Sequence, residues 1–421
     1  LVTIPPMKPW PSTRMRCGPS WRTLPEPFRP SPATGPTVPD LSEALATWWP
    51  VLPWAAALLV LLRLRRLTPS LDRTPPRGDI PLSIILPARN EAANIEAVVC
   101  SILQSSYPNF ELIVVDDQST DNTAERALAT GGADQRFRLV RGVDPPSGWF
   151  GKPWACCQGS QVATGELLLF TDADTWHHPA LHGRAVGELV AQQADMLSIL
   201  GRQDCVTFWE QVVMPQVTVP LGLRYHPERI NRARHVRDLI ANGQFILVRS
   251  EAYRSAGSHE AVRHEVAEDL RLAQAFFRTG HRVRVVFALD SFRTRMYSGL
   301  AHLVEGWTKN VYLGGRASFP ESPVLQALVP VALLANTAFW TTPLAWLVLS
   351  PDPRSLAAYG FGVLFWLAVA LGMGTRPWTA LLYPLGAAVM GYITVRSLLR
   401  GGRQVEWKGR TYAPGADQFL R

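Results

Sequence analysis

The sequence predicts an α/β domain built on a mostly parallel sheet, with apolar helices near both ends of the chain. Two patterns support this fold class. Between residues 80 and 315, short apolar runs alternate with amphipathic segments, which is typical of parallel strands joined by crossover helices. Residues 41–62 and the stretch after residue 323 are nearly uncharged and long enough to cross a bilayer. We therefore expect a folded domain at 80–315 that is held at a membrane.

The composition narrows the class of protein. The chain has 421 residues, of which 47% are hydrophobic, and its formal charge is +8. No Lys/Arg tract with interleaved aromatic residues is present, so no nucleic-acid partner is expected. Basic residues that flank apolar segments explain the charge through contact with anionic lipid. The five cysteines are odd in number and lack zinc-ligand spacing, which favours a reducing, cytoplasm-facing domain.

The N-terminal region divides into two segments. Residues 1–40 are rich in Pro, Ser and Arg and predict a disordered segment. Residues 41–66 predict a transmembrane anchor with a charge-free core at Ala44–Leu62. Three arginines follow this core, so the positive-inside rule places the domain at 80–315 in the cytoplasm, at the inner cell membrane. Two prolines weaken a helix here, and a monotopic anchor is the alternative.

The central region alternates strand and helix signals in chain order. The predicted strands are Leu82–Leu86, Leu112–Asp116, Phe137–Val140, Leu167–Thr171, Met196–Leu200, Phe245–Val248 and Val283–Phe287. The predicted helices begin at Glu91, at Asp121, near Trp154, at Pro179 and at Glu268, and the last ends near Thr279 with Gly280 as its stop. Because Leu167–Thr171 is apolar throughout, we expect this strand to be buried on both faces.

The C-terminal region predicts two or three transmembrane passes within residues 324–399, and so a multi-pass membrane protein. The apolar blocks are Val324–Leu349, Leu356–Gly372 and Trp378–Leu399. A basic tail follows at 400–421, and three full passes would carry it away from the cytoplasm, against the positive-inside rule. A re-entrant or interfacial first block would return the tail to the cytoplasmic side. The sequence leaves both arrangements open.

Two stretches within residues 80–315 are candidates for contact with a lipid. Phe208–Leu223 is apolar but interrupted by two prolines, and we interpret it as a segment that lies on the membrane and admits a lipid. A buried core segment is the equal alternative. Trp307 and Lys309 have two interpretations as well: contacts with a ligand of the domain, or an interfacial Trp/Lys pair.

Two carboxylates, Asp172 and Asp174, directly follow the apolar run Leu167–Thr171. Ligands of open α/β sheets bind outside the carboxyl ends of the strands. Carboxylate oxygens bind hard divalent cations, and a cation held there binds a diphosphate. The stretch therefore predicts a site for a divalent metal and a nucleotide sugar. The neighbouring His177 and His178 are not expected to be ligands.

Polar groups follow two other strands and open one helix. Pro87-Ala-Arg-Asn-Glu91 follows the first strand, and its asparagine is a candidate helix cap. Asp116-Asp117 follows the second strand; adjacent acids repel, and ribose hydroxyls or base N–H donors would offset that repulsion. Glu268-Asp269 opens an amphipathic helix, where the two acids either complement the helix dipole or act in chemistry.

Four motifs, in this order and spacing, resemble the family 2 inverting glycosyltransferases. They are Ile84-Ile-Leu-Pro-Ala-Arg-Asn-Glu91, Val114-Val-Asp-Asp-Gln-Ser-Thr-Asp121, Asp172-Ala-Asp174 and Ala267-Glu-Asp-Leu270. Gly148-Trp-Phe-Gly-Lys152 and the tail motif Trp407-Lys-Gly-Arg410 match as well. The resemblance covers roughly residues 81–315 and is strongest to membrane enzymes associated with hopanoid and carotenoid glycosylation.

The resemblance implies that residues 80–315 are a glycosyltransferase catalytic domain with the nucleotide-diphospho-sugar transferase fold (GT-A type). It also implies a role for each matching residue. Asp269 would be the catalytic base, and Asp174, with Asp172, would bind Mg²⁺ or Mn²⁺. The nucleotide sugar would contact Pro87, Arg89, Glu91, Asp117, Lys152 and Asp172, with Asp117 facing the base and Lys152 near the base or the diphosphate. Glu268, Trp307 and Lys309 are further candidates for contacts with the acceptor or the diphosphate.

The sequence departs from the family pattern at one point. Many relatives that make long polymers carry Gln-x-x-Arg-Trp, whereas Gly306–Asn310 occupies the comparable region without it. This favours a single transfer. P-loop, zinc-protease and dinucleotide-binding patterns are absent from the sequence.

We therefore predict a membrane-bound inverting glycosyltransferase that moves one hexose, most simply glucose, from a UDP-sugar to an apolar lipid such as a carotenoid or hopanoid. Inversion needs a general base for the acceptor hydroxyl and a cation for the diphosphate. A polysaccharide or glycolipid synthase of the same family and a noncatalytic membrane scaffold are the alternatives.

Overall fold

The computed structural model describes residues 47–66, 69–265, 267–401, 405–407 and 410–412. The predicted disordered segment, the first residues of the predicted anchor and most of the basic tail lie outside this part of the chain. Within it, each of the seven predicted strands is present, and three short strands are added.

The strands are β1 Leu82–Ala88, β2 Phe110–Asp116, β3 Phe137–Arg141, β4 Leu167–Thr171, β5 Thr175–His177, β6 Met196–Gln203, β7 Phe245–Arg249, β8 Val283–Thr294, β9 Val405–Trp407 and β10 Arg410–Tyr412. The first eight form one sheet in the order β3-β2-β1-β4-β7-β6-β8-β5, and β9 pairs with β10. The pairs β1–β2, β1–β4, β2–β3 and β6–β8 are parallel. The predicted mostly parallel α/β sheet is therefore confirmed.

Strand β7 is antiparallel to both of its neighbours, β4 and β6, and β5 is antiparallel to β8. The sequence does not predict these directions, because an apolar run has the same pattern whichever way the chain passes through the sheet. The result is a mixed sheet whose parallel half, β3-β2-β1-β4, brings several strand ends to one edge.

The helices are α1 Leu52–Arg66, α2 Ile95–Leu103, α3 Thr123–Gly131, α4 Gly151–Val162, α5 Leu181–Ala191, α6 Phe208–Arg224, α7 Pro227–Ile230, α8 Ser250–Ser255, α9 Glu268–Arg278, α10 Leu300–Ala317, α11 Pro323–Leu349, α12 Pro353–Met373 and α13 Tyr383–Arg400. Short 3₁₀ turns lie at Trp49–Val51, Leu71–Arg73, Val236–Asp238, His259–Val262 and Pro377–Leu382. Gly280 follows the end of α9 with φ 83°, the left-handed conformation that suits its predicted role as a stop.

The predicted cap at Asn90 is wrong, because helix α2 begins only at Ile95, with Asn94 as its N-cap residue. Asn90 instead has φ 53°, and its side-chain oxygen accepts a hydrogen bond from the backbone N–H of Thr120 at 2.8 Å. The asparagine therefore ties the loop after β1 to the loop after β2.

Two apolar clusters cover the two faces of the sheet. Side chains alternate along β1, so that Ile84 and Leu86 belong to one cluster and Ile85 to the other. All five residues of β4 are buried, which agrees with the expectation for a strand covered on both faces. Burial fixes the register of β4 and thereby the position of the turn that follows it.

Three C-terminal helices are long and apolar enough to cross a membrane: Pro323–Leu349, Pro353–Met373 and Pro377–Arg400, the last including its initial 3₁₀ turn. The N-terminal apolar helix, Trp49–Leu64, is shorter. Aromatic side chains of α1, α11 and α12 pack together, as where Trp54 stacks on Phe339 with ring centroids 5.3 Å apart. The number of passes stays a prediction.

Helix α6 combines the two interpretations of its sequence. Residues from Glu210 to Val217 are buried, partly against Leu303 of α10 and Met390 of α13. Phe208 and Leu221 near the ends are each 41% exposed. The middle of the helix is therefore a core segment, and only its ends are available to a lipid.

Candidate active site

The site begins at the turn that connects β4 to β5. The apolar strand ends at Thr171, and Asp172 and Asp174 follow before the chain pairs again at Thr175. The Thr175 hydroxyl donates to the backbone carbonyl of Asp172 at 2.7 Å, which closes the turn. Both predicted carboxylates are thereby held at the edge of the sheet.

Lys152, near the start of α4, joins this turn to the distant helix α9. Its Nζ lies 2.8 Å from Asp172 Oδ1 and 2.9 Å from Glu268 Oε1. Burial opposes the charged ammonium, but the two carboxylates outweigh burial and raise the pKa of Lys152 well above its ordinary value. Lys152 is therefore a permanent cation at the centre of the site.

Asp269 lies beside this ion-paired group. Its Oδ2 accepts from the backbone N–H of Gly243 at 2.9 Å, and its Oδ1 accepts from Leu270 N–H at 2.7 Å. Burial, and then the charge of Glu268, raise the pKa of Asp269 to about 6. The carboxylate is thus oriented by two amides and is a stronger base than an exposed aspartate.

Gly243 shows how close these groups are. A methyl group at its Cα would lie 3.1 Å from Lys152 Nζ and 3.2 Å from Asp269 Oδ2. The structure therefore brings together four residues from three separate parts of the sequence: Lys152, Asp172, Glu268 and Asp269. The N-terminus of α9 supplies two of these residues.

A cavity of about 10 Å³ lies among these groups. It is lined by Pro87, Lys152, Cys156, Phe170, Thr171, Asp172, Gly243, Ile246, His259, Glu268 and Asp269. A nucleotide sugar is far larger, so side chains must move apart for it to bind. A cavity of about 460 Å³ between α9 and the turn at His259–Val262 contains none of the predicted site residues, and we assign the chemistry to the smaller one.

Asp174 has the properties of an incomplete cation site. Its Oδ1 is buried and has no hydrogen-bond partner in the part of the chain that the structure describes. Burial, and then the charge of Asp172, raise its pKa to about 7. Among the described residues, no group of three His, Cys, Asp or Glu side chains is arranged to hold a metal alone. Two carboxylates completed by water and phosphate oxygens are the usual set for Mg²⁺, so Asp172 and Asp174 fit this cofactor.

The predicted nucleoside residues lie at the ends of β1 and β2. Pro87 lines the small cavity, while Arg89 Nη1 donates to the backbone carbonyls of Asp117 at 2.5 Å and Gln118 at 2.9 Å. Asp117 is fully buried. Arg89 therefore holds the β2 loop in place, and any contact of Asp117 with a base requires this loop to open.

Two predicted residues come from α10. Lys309 is desolvated, which lowers its pKa, while the charge of Glu268 acts in the opposite direction. The indole N–H of Trp307 points to Met214 Sδ at 3.4 Å, and its ring centroid is 6.0 Å from that of Tyr297. Lys309 is thus within electrostatic reach of the carboxylates, and Trp307 belongs to an apolar cluster of α6, α10 and α13.

Gly243 and His259 are among the lining residues that the sequence does not single out. The Tyr253 hydroxyl lies 2.7 Å from His259 Nδ1, and burial lowers the pKa of His259 to about 3, so the ring is neutral. Neither residue belongs to a spacing pattern that marks a site in the sequence. Only the tertiary structure brings them to the cavity.

Comparison with known proteins agrees with this architecture. The family model described as Glycosyl transferase family 2 matches residues 83–256. The 4,4'-diaponeurosporenoate glycosyltransferase of Staphylococcus aureus strain USA300 is 30% identical over 260 residues, which cover 59% of this chain and 64% of that protein. The same enzyme from strain MRSA252 matches to the same extent. The chain thus aligns with somewhat less than two thirds of these relatives.

Among solved structures, a mannosyltransferase from Pyrobaculum calidifontis, in complex with GDP-Man and Mn²⁺, covers 84% of this chain and 99% of its own. The TM-score is 0.50 and the sequence identity 20%, so this similarity concerns the fold alone. The family match includes the β1, β2 and β4 motifs and ends before α9. The fold brings Glu268 and Asp269 of α9 to the same cavity as the β1 and β4 motifs. Residues 83–256 of this chain therefore resemble the domain of family 2 glycosyltransferases.

Proposed function

We propose that the chain is a membrane-bound, inverting glycosyltransferase that moves one hexose from a UDP-sugar to an apolar, carotenoid-like acceptor. The observation that carries the proposal is the convergence of Asp172, Lys152, Glu268 and Asp269 on one small cavity. Unpaired carboxylates would repel at such proximity, so the arrangement is stable only because a cation lies between them.

Asp269 is the general base of the proposed reaction. Its two amide contacts hold the carboxylate in one orientation, and a pKa of about 6 leaves it ionised at neutral pH yet able to take a proton. It removes the proton of the acceptor hydroxyl as the oxygen attacks the anomeric carbon opposite the leaving UDP. Inversion follows from that single displacement.

Lys152 and Lys309 provide positive charge for the donor. Lys152 is charged, with its side chain 22% exposed, and Lys309 forms no ion pair among the residues described. Both suit the two negative phosphates of UDP. Asp172 and Asp174 would hold Mg²⁺ or Mn²⁺, which when bound stabilises the charge that develops on the diphosphate.

The acceptor side is apolar. Trp209, Met214, Tyr297 and Trp307 belong to one cluster that joins the catalytic domain to α13. The charge of Asp174 contributes to the raised pKa of Tyr297, so this cluster lies within electrostatic reach of the carboxylates. The relatives named for diaponeurosporenoate support a carotenoid-like chain with a terminal hydroxyl or carboxyl.

The test is transfer of label from a UDP-sugar to lipid. Membranes that contain the full chain are incubated with labelled UDP-glucose, and carotenoid and hopanoid lipids are extracted and analysed. We expect label in one apolar lipid product, with inverted configuration at the anomeric carbon, and label reduced by about 10²-fold or more with the Asp269→Asn variant. Label that appears only in water-soluble polymer would contradict the proposal.

A further inference from the structure

A chain of buried polar side chains connects the segment after helix α2 to the turn that carries Asp172 and Asp174. Its members are Ser105, His182, His177, Thr171 and Thr175, which we call the histidine relay. His182 Nδ1 is 2.7 Å from Ser105 Oγ, and His177 Nδ1 is 3.0 Å from His182 Nε2. His177 Nε2 is 3.1 Å from the hydroxyls of both Thr171 and Thr175.

The hydrogen bonds of the relay have only one consistent direction. Thr171 donates its proton to the carbonyl of Gln244, and Thr175 donates to the carbonyl of Asp172, so both hydroxyls must accept from His177. His177 therefore carries its proton on Nε2 and accepts at Nδ1 from His182. His182 in turn accepts at Nδ1 from Ser105, whose contact to Pro179 is longer, at 3.4 Å.

Both imidazoles are buried and neutral. Each is 1% exposed, and burial lowers the pKa of both rings, to about 3 for His182. Phe245 and Phe292 surround the His177 ring, with centroid distances of 5.9 Å and 5.2 Å. A further bond, from His177 N–H to Ser101 Oγ at 3.2 Å, fixes the backbone of β5. The relay therefore has a single hydrogen-bonded state.

We propose that the histidine relay positions the Asp172–Asp174 turn for the divalent cation of the donor complex, which rests on the proposed function above. His177 holds the two threonines on either side of the turn, and one of them binds the carbonyl of Asp172. Neither histidine ligates the metal. They are positioning residues, because their effect on the carboxylates passes through Thr171 and Thr175.

The test compares two substitutions of one residue. His177→Leu fills the site but removes the donor, whereas His177→Gln keeps an N–H donor and a carbonyl acceptor on one amide. Mn²⁺ affinity is measured on the purified full chain by electron paramagnetic resonance, with thermal unfolding recorded in parallel. We expect the leucine variant to bind Mn²⁺ about 10- to 100-fold more weakly, the usual effect of losing an outer-shell partner, and the glutamine variant to recover most of this loss.

Three further variants make the outcome decisive. His235→Leu, at an exposed position, should leave Mn²⁺ affinity unchanged. Ser105→Ala shortens the relay without altering β5, and it should weaken Mn²⁺ binding less than His177→Leu does. This variant tests the role of the relay even if His177→Leu does not fold. Asp172→Asn should abolish binding.

Two results would contradict the inference in distinguishable ways. If Asp172→Asn removes Mn²⁺ binding but the His177→Leu and Ser105→Ala variants bind like the wild type, the relay does not position the turn and the proposed function survives. If the wild type binds no Mn²⁺, or binding is insensitive to Asp172→Asn, the metal assignment fails and the inference fails with it.

Discussion

At the scale of single residues, the sequence identifies the carboxylates of the site but not the residues that contact them. Asp172, Asp174, Glu268 and Asp269 stand out because acids follow apolar strands or open a helix, and the fold brings Asp172, Glu268 and Asp269 to one cavity. The double ion pair of Lys152 is not predictable, because no local pattern reports a contact between residues 152 and 268. Such pairs depend on how the strands are ordered in the sheet.

Replacement of Asp269 by asparagine tests the proposed base. The amide keeps the shape, and its oxygen can still accept from Gly243 N–H, but its NH2 group cannot accept from Leu270 N–H and does not take a proton. We expect turnover to fall by about 10²-fold or more, as is typical for loss of a general base, with a small decrease in the unfolding temperature from the lost hydrogen bond. The matched control is Asp290→Asn, a carboxylate whose side chain is 79% exposed in a surface ion pair. A variant that retains full turnover would exclude Asp269 as the base.

The pH dependence of transfer follows from the pKa of the same residue. Asp269 acts as a base only when it is deprotonated, and burial together with Glu268 raises its pKa to about 6. Activity should therefore fall as the pH decreases through about 6, and the acid limb of kcat/KM, which reports the free enzyme, should have its midpoint there. A midpoint near 4, the ordinary range for aspartate, would contradict this environment.

At the scale of elements, the sequence predicts where strands and helices occur better than it predicts their directions and ends. The β4 bounds match the prediction, because an apolar run bounded by polar residues defines a buried strand. The antiparallel β7 and the late start of α2 depend on tertiary contacts. In particular, Asn90 bonds to a neighbouring loop instead of capping its own helix.

The close approach of α4 and α9 can be tested at Gly243, which lies in the segment just before β7. Gly243→Ala would place a methyl group 3.1 Å from Lys152 Nζ and 3.2 Å from Asp269 Oδ2, so one of these side chains must shift. Because a misplacement of about 1 Å can reduce rates by about 10²-fold, we expect activity to fall by about 10-fold or more. Gly222→Ala, where an added methyl group meets no atom within 4 Å, is the control and should be neutral in the same transfer assay.

The buried histidines predict acid instability of the α2–β5–α5 layer. His182 has a pKa of about 3 in the folded chain and an ordinary value of 6.5, so protonation favours the unfolded state. The stabilising contribution of the neutral ring is complete above pH 6.5 and is lost as the pH falls from there towards 3. Urea unfolding between pH 7 and 4 should show a smaller decline for His182→Gln than for the wild type. Equal slopes would mean that His182 does not stay neutral.

At the scale of the whole molecule, the catalytic domain and the apolar helices share contacts rather than a flexible connection. Gln216 of α6 donates to the backbone carbonyl of Tyr383 in α13 at 3.2 Å, and the apolar cluster of Trp307 includes residues of both regions. The sequence predicts the apolar blocks from composition. It does not predict these contacts, because residues of α6 and α13 are more than 150 positions apart.

The contacts of α13 bear on the number of membrane passes, because three full passes would carry the basic tail away from the cytoplasm. Near its end, Arg396 pairs with Glu305 of α10 at 2.8 Å, Arg400 pairs with the same carboxylate, and the Tyr312 N–H donates to Ser397 Oγ. Near its start, α13 contacts α6. Both ends therefore touch elements of the catalytic domain. Half of its apolar window is buried, against 11% for α11.

We expect α11 and α12 to cross the membrane as a hairpin while α13 lies along the catalytic side, because a helix whose two ends contact one domain does not reach the opposite face. The test is labelling of introduced cysteines in intact cells with an impermeant maleimide. Ser350→Cys, between α11 and α12, should react from outside, whereas Glu321→Cys and Leu399→Cys should react only after lysis. The wild type, which retains its native cysteines, gives the background. Reaction of Leu399→Cys from outside would show instead that α13 crosses, and the positive-inside rule would then be violated by the tail.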